Sequence, residues 1–176
     1  MISTTTMPII VTGKTQLANH LVEAIDSSRA GEILDLTDDD HLVIITQGTA
    51  RGGVKTIIDR CYTDIVSQIE SVNRKDLRYI VIGSMSAEYT SYPGISNLAM
   101  IYANAKRSLS QYVSDYNQMN MDMDTKSVGG HRIQICEPAS FQTGMSNYKG
   151  LEVSKVIDAV QYLIAHPEVV KIQLRQ

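Results

Sequence analysis

The chain has 176 residues, 43% of them hydrophobic and 20% charged, with a formal net charge of −3. That length suits one domain able to fold without disulfides or metals, and the composition excludes wholesale disorder. The slight acidic balance argues against nucleic acid or an anionic membrane as the main partner, no apolar run approaches the ~18 residues a bilayer requires, and Met1–Thr6 lacks the basic start and apolar stretch of a secretion signal.

Taken in chain order, Pro8–Thr12 is an apolar, β-branched run that stops at Gly13 and reads as a buried strand. A helical stripe follows at Leu17, Leu21 and Ala24-Ile25, broken by Asp26–Gly31. Glu32–Leu36 is the second strand expected. Thr37–Asp40 is a turn whose three aspartates read as solvated rather than as a cation site. His41–Thr46 is the third strand, and Gln47–Gly53 is a glycine-rich loop. Val54–Val72 is a helix, with apolar residues at Val54, Ile57-Ile58, Cys61, Ile65 and Ile69. Tyr79–Ile82 is a fourth strand ending in Gly83–Ser86, followed by a loop with the turn signal Pro93-Gly94. A long helix runs from Asn97 to Met119, and Asn120–Gly130 is a polar loop unless its alternating Met and Asp prolong the helix. His131–Cys136 is the fifth strand, ended by Pro138. Gly150–Ala165 is a helix and Val169–Leu174 the last strand.

Strands alternating with helices imply βαβ units, so the expected fold is α/β: a Rossmann-type, doubly wound parallel sheet in three layers, forming one reduced domain over 1–176. In such sheets ligands sit beyond the carboxyl ends of the strands. The informative positions are therefore Gly13, Asp35, Gly48, Ser84 and Pro138. Cys61 and Cys136 are far apart and flanked by apolar residues, which reads as buried free thiols in a reducing, cytoplasmic compartment. His20, His41, His131 and His166 have no spacing for a metal site.

Tyr102 and Lys106 lie four apart on a helix, hence on one face. A lysine ammonium beside the phenol is expected to lower the tyrosine pKa from its usual value of about 10. A tyrosine so tuned can exchange a proton with an alcohol or carbonyl, and the lysine can reach a ribose hydroxyl. Ser84, at a strand end, can hydrogen-bond a substrate carbonyl oxygen; Ser86 competes for that role. Gly13, directly after the first strand, lets the chain turn sharply and lets a phosphate approach the backbone. Gly-Lys-Thr at 13–15 mimics the end of a P-loop, but the upstream glycine is missing, which excludes that motif.

These residues together resemble the short-chain dehydrogenase/reductase family, over Ile9 to about Leu174. Val11-Thr-Gly13 resembles its opening strand and first glycine. Asp35-Leu-Thr-Asp38 is similar to the segment carrying the aspartate at the adenine. Ile45-Thr-Gln-Gly48 is similar to its Asn-Asn-Ala-Gly turn. Ser84, Tyr102 and Lys106 resemble its catalytic serine, tyrosine and lysine, and Ile133–Pro138, continuing through Thr143–Met145, resembles the segment along the nicotinamide. The resemblance implies NAD or NADP as cofactor, bound by Gly13, Asp35, Gly48, Tyr102, Lys106 and Pro138. It implies hydride transfer to or from a small alcohol or carbonyl substrate, with Tyr102 as acid or base, Lys106 holding the ribose and Ser84 orienting the substrate oxygen. It also implies a homodimer or homotetramer built through the two long helices, for which Leu109, Tyr112 and Val113 offer apolar surface.

The sequence departs from the family pattern in four ways. The glycine turn keeps only its first glycine. There is room for one strand, rather than strand-helix-strand, between the first helix and the strand at His41. The serine–tyrosine spacing of 18 is longer than usual, and the loop at 141–150 is short. Aligned to the family's relay asparagine is Cys61. These departures motivate an alternative, a catalytically inactive Rossmann-fold pseudoenzyme acting as a binding or assembly module. A flavodoxin-like protein is a third reading.

Overall fold

The structure, a computed structural model, describes residues 8–72, 74, 76–88, 96–121, 133–139, 141–142 and 151–175. Four strands form the middle of the sheet, largely from β-branched apolar residues: β1 (Ile9–Thr12), β3 (Leu42–Ile45), β4 (Arg78–Ile82) and β5 (Ile133–Pro138), the last of which also buries Gln134 and Glu137. Every residue of β1, β3 and β5 is buried, as strands covered by helices on both faces require. Two shorter edge strands complete the sheet, β2 (Ser28–Ala30) and β8 (Lys171–Leu174), in the order β2-β1-β3-β4-β5-β8 with every neighbouring pair parallel. A separate parallel pair joins β6 (Phe141–Gln142) to β7 (Leu151–Glu152).

Alternation along the strands divides the core in two. Ile9, Val11, Ile44 and Ile82 face α1 (Gln16–Ala24) and α5 (Val153–Ala165) through Leu21, Val156, Val160 and Leu163. Ile10, Val43, Ile45 and Ile135 face the opposite layer, packing on Ile65 and Ile69 of α3 (Asp64–Ser71) and on Leu109 and Val113 of α4 (Asn97–Met121). The expected three-layer, doubly wound sheet is the fold observed.

The helix expected over Val54–Val72 is continuous from 54 to 71 but not uniform. It runs as α2 (Val54–Ile58), a π turn (Asp59–Thr63) and then α3. The wider turn changes the register of the face behind it, a device common at functional sites. α2 and the π turn pack on α4 through Ile57, Cys61 and Ala105.

Two expectations are corrected. The second strand is Ser28–Ala30, not Glu32–Leu36; Ile33–Asp35 is a 3-10 turn instead. An edge strand is held by backbone pairing, here Ile9↔Ser28 to Val11↔Ala30, so it needs no apolar signature. Leu34, which made the other segment look like a strand, is 89% exposed. The second correction concerns Asp40, which is not a solvated turn residue. Its side chain is fully buried, takes both Arg29 Nη atoms at 2.5 and 2.7 Å, and accepts from the Thr37 amide at 2.8 Å. The sequence did anticipate that one strand alone lies between α1 and β3.

The Pro93-Gly94 turn, the segment 122–130, His131, the first six residues and Thr143–Met145 lie outside the described residues. Cys61 and Cys136 are buried free thiols as expected. Among the described residues no cluster of metal-ligating side chains occurs, and no helix is long and apolar enough to cross a membrane.

Candidate active site

β1 and β3 are neighbours, yet the helices that follow them lie on opposite faces of the sheet. The chain therefore opens a crevice at their carboxyl ends. Gly13 makes the first turn there. Its φ of +118° suits glycine, and a Cβ would stand 2.5 Å from Thr46 Oγ1 and 2.6 Å from the Gln47 amide nitrogen, so no other residue fits without moving β3. Hydrogen bonds tie the two strand ends together. Thr46 donates to the Thr12 carbonyl from its backbone at 3.0 Å and from its hydroxyl at 2.8 Å. Behind them Thr12 Oγ1 donates to Gln68 Oε1 at 3.0 Å, and Gln68 Nε2 donates to Gln47 Oε1 at 2.6 Å.

Gly48, the next residue, is where the two halves of the site meet. A Cβ on Gly48 would lie 2.9 Å from Lys106 Nζ and 3.9 Å from Cys61 Sγ. The lysine amine is thus lodged against the backbone at the end of β3. Lys106 is only 3% exposed, and among the described residues its amine has no hydrogen-bond acceptor. Burial pushes its pKa below the usual lysine value, an effect opposed by Cys61 and by the carboxylate of Glu137. Cys61 donates its thiol hydrogen to the Thr49 carbonyl at 3.2 Å.

One helical turn earlier on α4, Tyr102 is half-buried, with the Lys106 amine over its ring, 5.8 Å from the centroid. Ser84, 8% exposed at the end of β4, lies beside the Tyr102 side chain and accepts from the Ser86 amide at 3.1 Å. Ser84 rather than Ser86 is therefore the serine beside the phenol. The sign of the expected tyrosine shift is reversed. Burial pushes the Tyr102 pKa up, and the neighbouring Ser84 only partly opposes this. The amine sits over the ring face instead of at the oxygen, and it is itself disfavoured as a cation. A dry site keeps both groups neutral more readily than spacing alone implies.

The other expected positions divide. Pro138, buried at the end of β5 and paired with Leu174, lies on the same edge of the sheet. Asp35 lies beyond β2, and its carboxylate accepts from the Glu32 amide at 2.8 Å as part of a capping box. Lys14 beside Gly13 is ion-paired with Glu32 at 2.7 Å.

Two residues were not singled out from sequence. Glu137 is 1% exposed; Oε1 takes Gln173 at 3.1 Å and Lys171 at 3.3 Å, while Oε2 has no hydrogen-bond partner among the described residues. The signal was present, because Glu137 follows Ile133 and Ile135 at the inward spacing of a wholly buried strand. Arg60, in the π turn, reaches across the crevice and donates to the Gly13 carbonyl at 3.2 Å. The side-chain amide oxygen of Gln16, on the first turn of α1, is likewise buried without a donor among the described residues.

A parallel doubly wound sheet with Ser84, Tyr102 and Lys106 gathered on its carboxyl edge defines a Rossmann-type α/β protein. No family model and no curated protein sequence matches the chain. Solved structures do. Serine dehydrogenase from Escherichia coli is 15% identical with a TM-score of 0.68, the match covering 97% of each chain. A short chain dehydrogenase from Burkholderia cenocepacia J2315 in complex with NADP is 13% identical with a TM-score of 0.69, over 97% of this chain and 89% of that one. BdcA in complex with NADPH is 10% identical with a TM-score of 0.66, over 95% and 92%. The fold is that of the short-chain dehydrogenases/reductases.

Proposed function

We propose that this chain is an NAD(P)-dependent oxidoreductase moving a hydride to or from a small alcohol or carbonyl substrate. One observation carries the reading: a buried lysine amine with no acceptor among the described residues lies against Gly48 at the sheet's carboxyl edge, one turn from a tyrosine that has a serine beside it. Burying an unpaired amine is unfavourable, and two ribose hydroxyls would supply the missing acceptors. Gly13 and Gly48 leave room for a ligand to approach the backbone, with Pro138 along the same edge. When bound, a nicotinamide supplies the hydride chemistry.

In the reducing direction Tyr102, held protonated by its burial, donates its proton to the substrate oxygen. Ser84 donates a hydrogen bond to the same oxygen and fixes its place. The Lys106 amine, lodged against Gly48, holds the ribose hydroxyls and so places the ring of the cofactor beside Tyr102. The three groups act as one unit because α4 and the end of β4 hold them rigidly. Asp35 keeps its own cap in this scheme and contributes at most a backbone contact.

Calorimetric titration with NADH and NADPH tests the proposal on the wild type, Tyr102→Phe and Lys106→Ala. One nucleotide should bind with a micromolar to millimolar constant, Lys106→Ala should lose roughly tenfold or more, worth about 1.4 kcal/mol, and Tyr102→Phe should keep most of the affinity. Binding of neither nucleotide at millimolar concentration would overturn it and favour the pseudoenzyme.

We further propose a single-domain protein of the cytoplasm, supported by its two free buried thiols, that pairs through α2–α3 and α4. Leu109 and Val113 are buried against the chain's own sheet, and Tyr112 packs on the same core, so they do not supply the partner surface. Val54, Ile58 and Leu98, between 38% and 48% exposed on those helices, do. Light scattering that gives a monomer mass would sink the assembly.

A further inference from the structure

We infer that Arg60 is an anion clamp, and that its guanidinium takes the diphosphate of a nucleotide over the turn at Gly13. The inference deepens the nucleotide part of the proposed function and is independent of the redox part. Arg60 belongs to the π turn, which faces the mouth of the β1–β3 crevice, and its Nη2 spans it to reach the Gly13 carbonyl at 3.2 Å. That is the sole hydrogen bond among the described residues for a group with five donors.

The neighbouring cations differ. Arg29 is held by Asp40, Lys14 by Glu32, Lys55 by Asp59 and Arg74 by Asp76. Arg60 has no carboxylate within ion-pair distance among the described residues. Among the described residues the half-buried Arg60 side chain has one carbonyl as its hydrogen-bond partner and no counter-charge. A planar fork of donors matches two oxygens of a phosphate better than it matches a single carbonyl.

The sequence gives a reason for such a residue. After Gly13 the turn continues Lys14-Thr-Gln-Leu-Ala-Asn19, without further glycines. Side chains at those places restrict how closely an anion can approach the backbone, so fewer amides reach it. A guanidinium from the facing helix makes up the charge. It fits a diphosphate better than a lone ribose or base, because it adds fixed positive charge where the turn adds little.

The test uses the intact protein and three probes, inorganic pyrophosphate, ADP and adenosine, titrated by calorimetry into the wild type, Arg60→Gln and Arg60→Lys. Pyrophosphate and ADP should bind the wild type and weaken roughly tenfold or more in Arg60→Gln. Arg60→Lys, which keeps the charge but not the fork, should fall between, and adenosine should be indifferent. Raising the salt should weaken ADP more in the wild type than in Arg60→Gln. Equal or tighter binding of ADP to Arg60→Gln would show a latch on Gly13 and overturn the inference, as would a wild type that binds neither anion. If ADP binds through Arg60 but NADH and NADPH bind no better than ADP, the redox reading fails and the clamp stands. If NADPH binds and Arg60→Gln leaves it unchanged, the clamp fails and the redox reading stands. Should Arg60→Gln not fold, Arg60→Lys still decides, since a fold contact alone would leave its ADP affinity at the wild-type level.

Discussion

The two flanks of the crevice treat their polar groups in opposite ways. On the β2 side three charges are matched locally: Asp40 by Arg29 and Thr37, Asp35 by the Glu32 amide, Lys14 by Glu32. On the β2 side only Asp40 is deeply buried; on the β4–β5 side Lys106 and Glu137 both are, and they are incompletely matched. Among the described residues Lys106 has no acceptor and one Glu137 oxygen has no donor. The first flank is built for stability, and its polar groups need nothing from outside. The second holds an electrostatic deficit that only a ligand or water can make up, and buried deficits of that kind persist where function maintains them.

The contrast is broken first at Asp40. Replacing it with Ala leaves Arg29 without its counter-ion and the Thr37 amide without its acceptor. A loss of about 3 kcal/mol is expected, at the low end for a broken buried pair because Arg29 is 42% exposed. Urea unfolding measures it, and nucleotide affinity at a permissive temperature should be unchanged. The pair also sets an acid limit. Asp40 is held down to about 2 from an ordinary 3.8, chiefly by its Arg29 hydrogen bond. A depressed carboxylate stabilises the fold above its unfolded value, and that contribution is lost as pH falls from about 4 toward 2. The Asp40→Ala variant should therefore lack this part of the wild-type acid transition; an unchanged profile would show that the pair is idle.

At Lys106 the sign reverses. Lys106→Met removes a buried amine with no acceptor among the described residues and keeps most of the volume, so the free protein should gain about 1–3 kcal/mol while NADPH affinity falls roughly tenfold or more. The gain depends on pH. Burial lowers the Lys106 pKa from 10.5, so the unfolded chain binds the proton more readily, and the wild type recovers stability as pH rises from the folded value toward 10.5. The two proteins should differ most near neutrality and converge above about pH 10. Thermal unfolding at several pH values checks this, and a destabilised Lys106→Met would mean that the amine has a structural partner.

Sequence periodicity located the central strands and long helices because their residues are buried on regular faces. It failed at β2, where Ser28-Arg29-Ala30 has no apolar signature and the strand exists through pairing with Ile9–Val11. Ser84, Tyr102 and Lys106 were legible through order and helical spacing, since i and i+4 share a face whatever the fold. Their protonation was not. The shift on Tyr102 comes from how deeply its ring is buried, which no spacing encodes. Asp40 looked solvated because it stands in a run of three aspartates, and only the position of Arg29, eleven residues earlier, makes it a core residue. Arg60 was invisible because its partner, Gly13, is 47 positions away.

The smallest expected effect sharpens the comparison most, because it alters the deficit without removing any charge. Gly48→Ala places a methyl group 2.9 Å from Lys106 Nζ and 3.6 Å from Cε. Both atoms belong to the free end of a flexible side chain, so the amine can withdraw without shifting backbone. The stability change should stay within about 1 kcal/mol. Withdrawal by about 1 Å takes the amine out of register with a bound ribose, a displacement that precise sites tolerate poorly. NADPH affinity should therefore fall severalfold while ADP affinity, which does not depend on Lys106, stays level. If both hold at the wild-type value, the place of the amine against Gly48 is a packing detail rather than the seat of a ligand. If both fall together, the methyl group has disturbed the β1–β3 crevice as a whole and the two flanks are not independent.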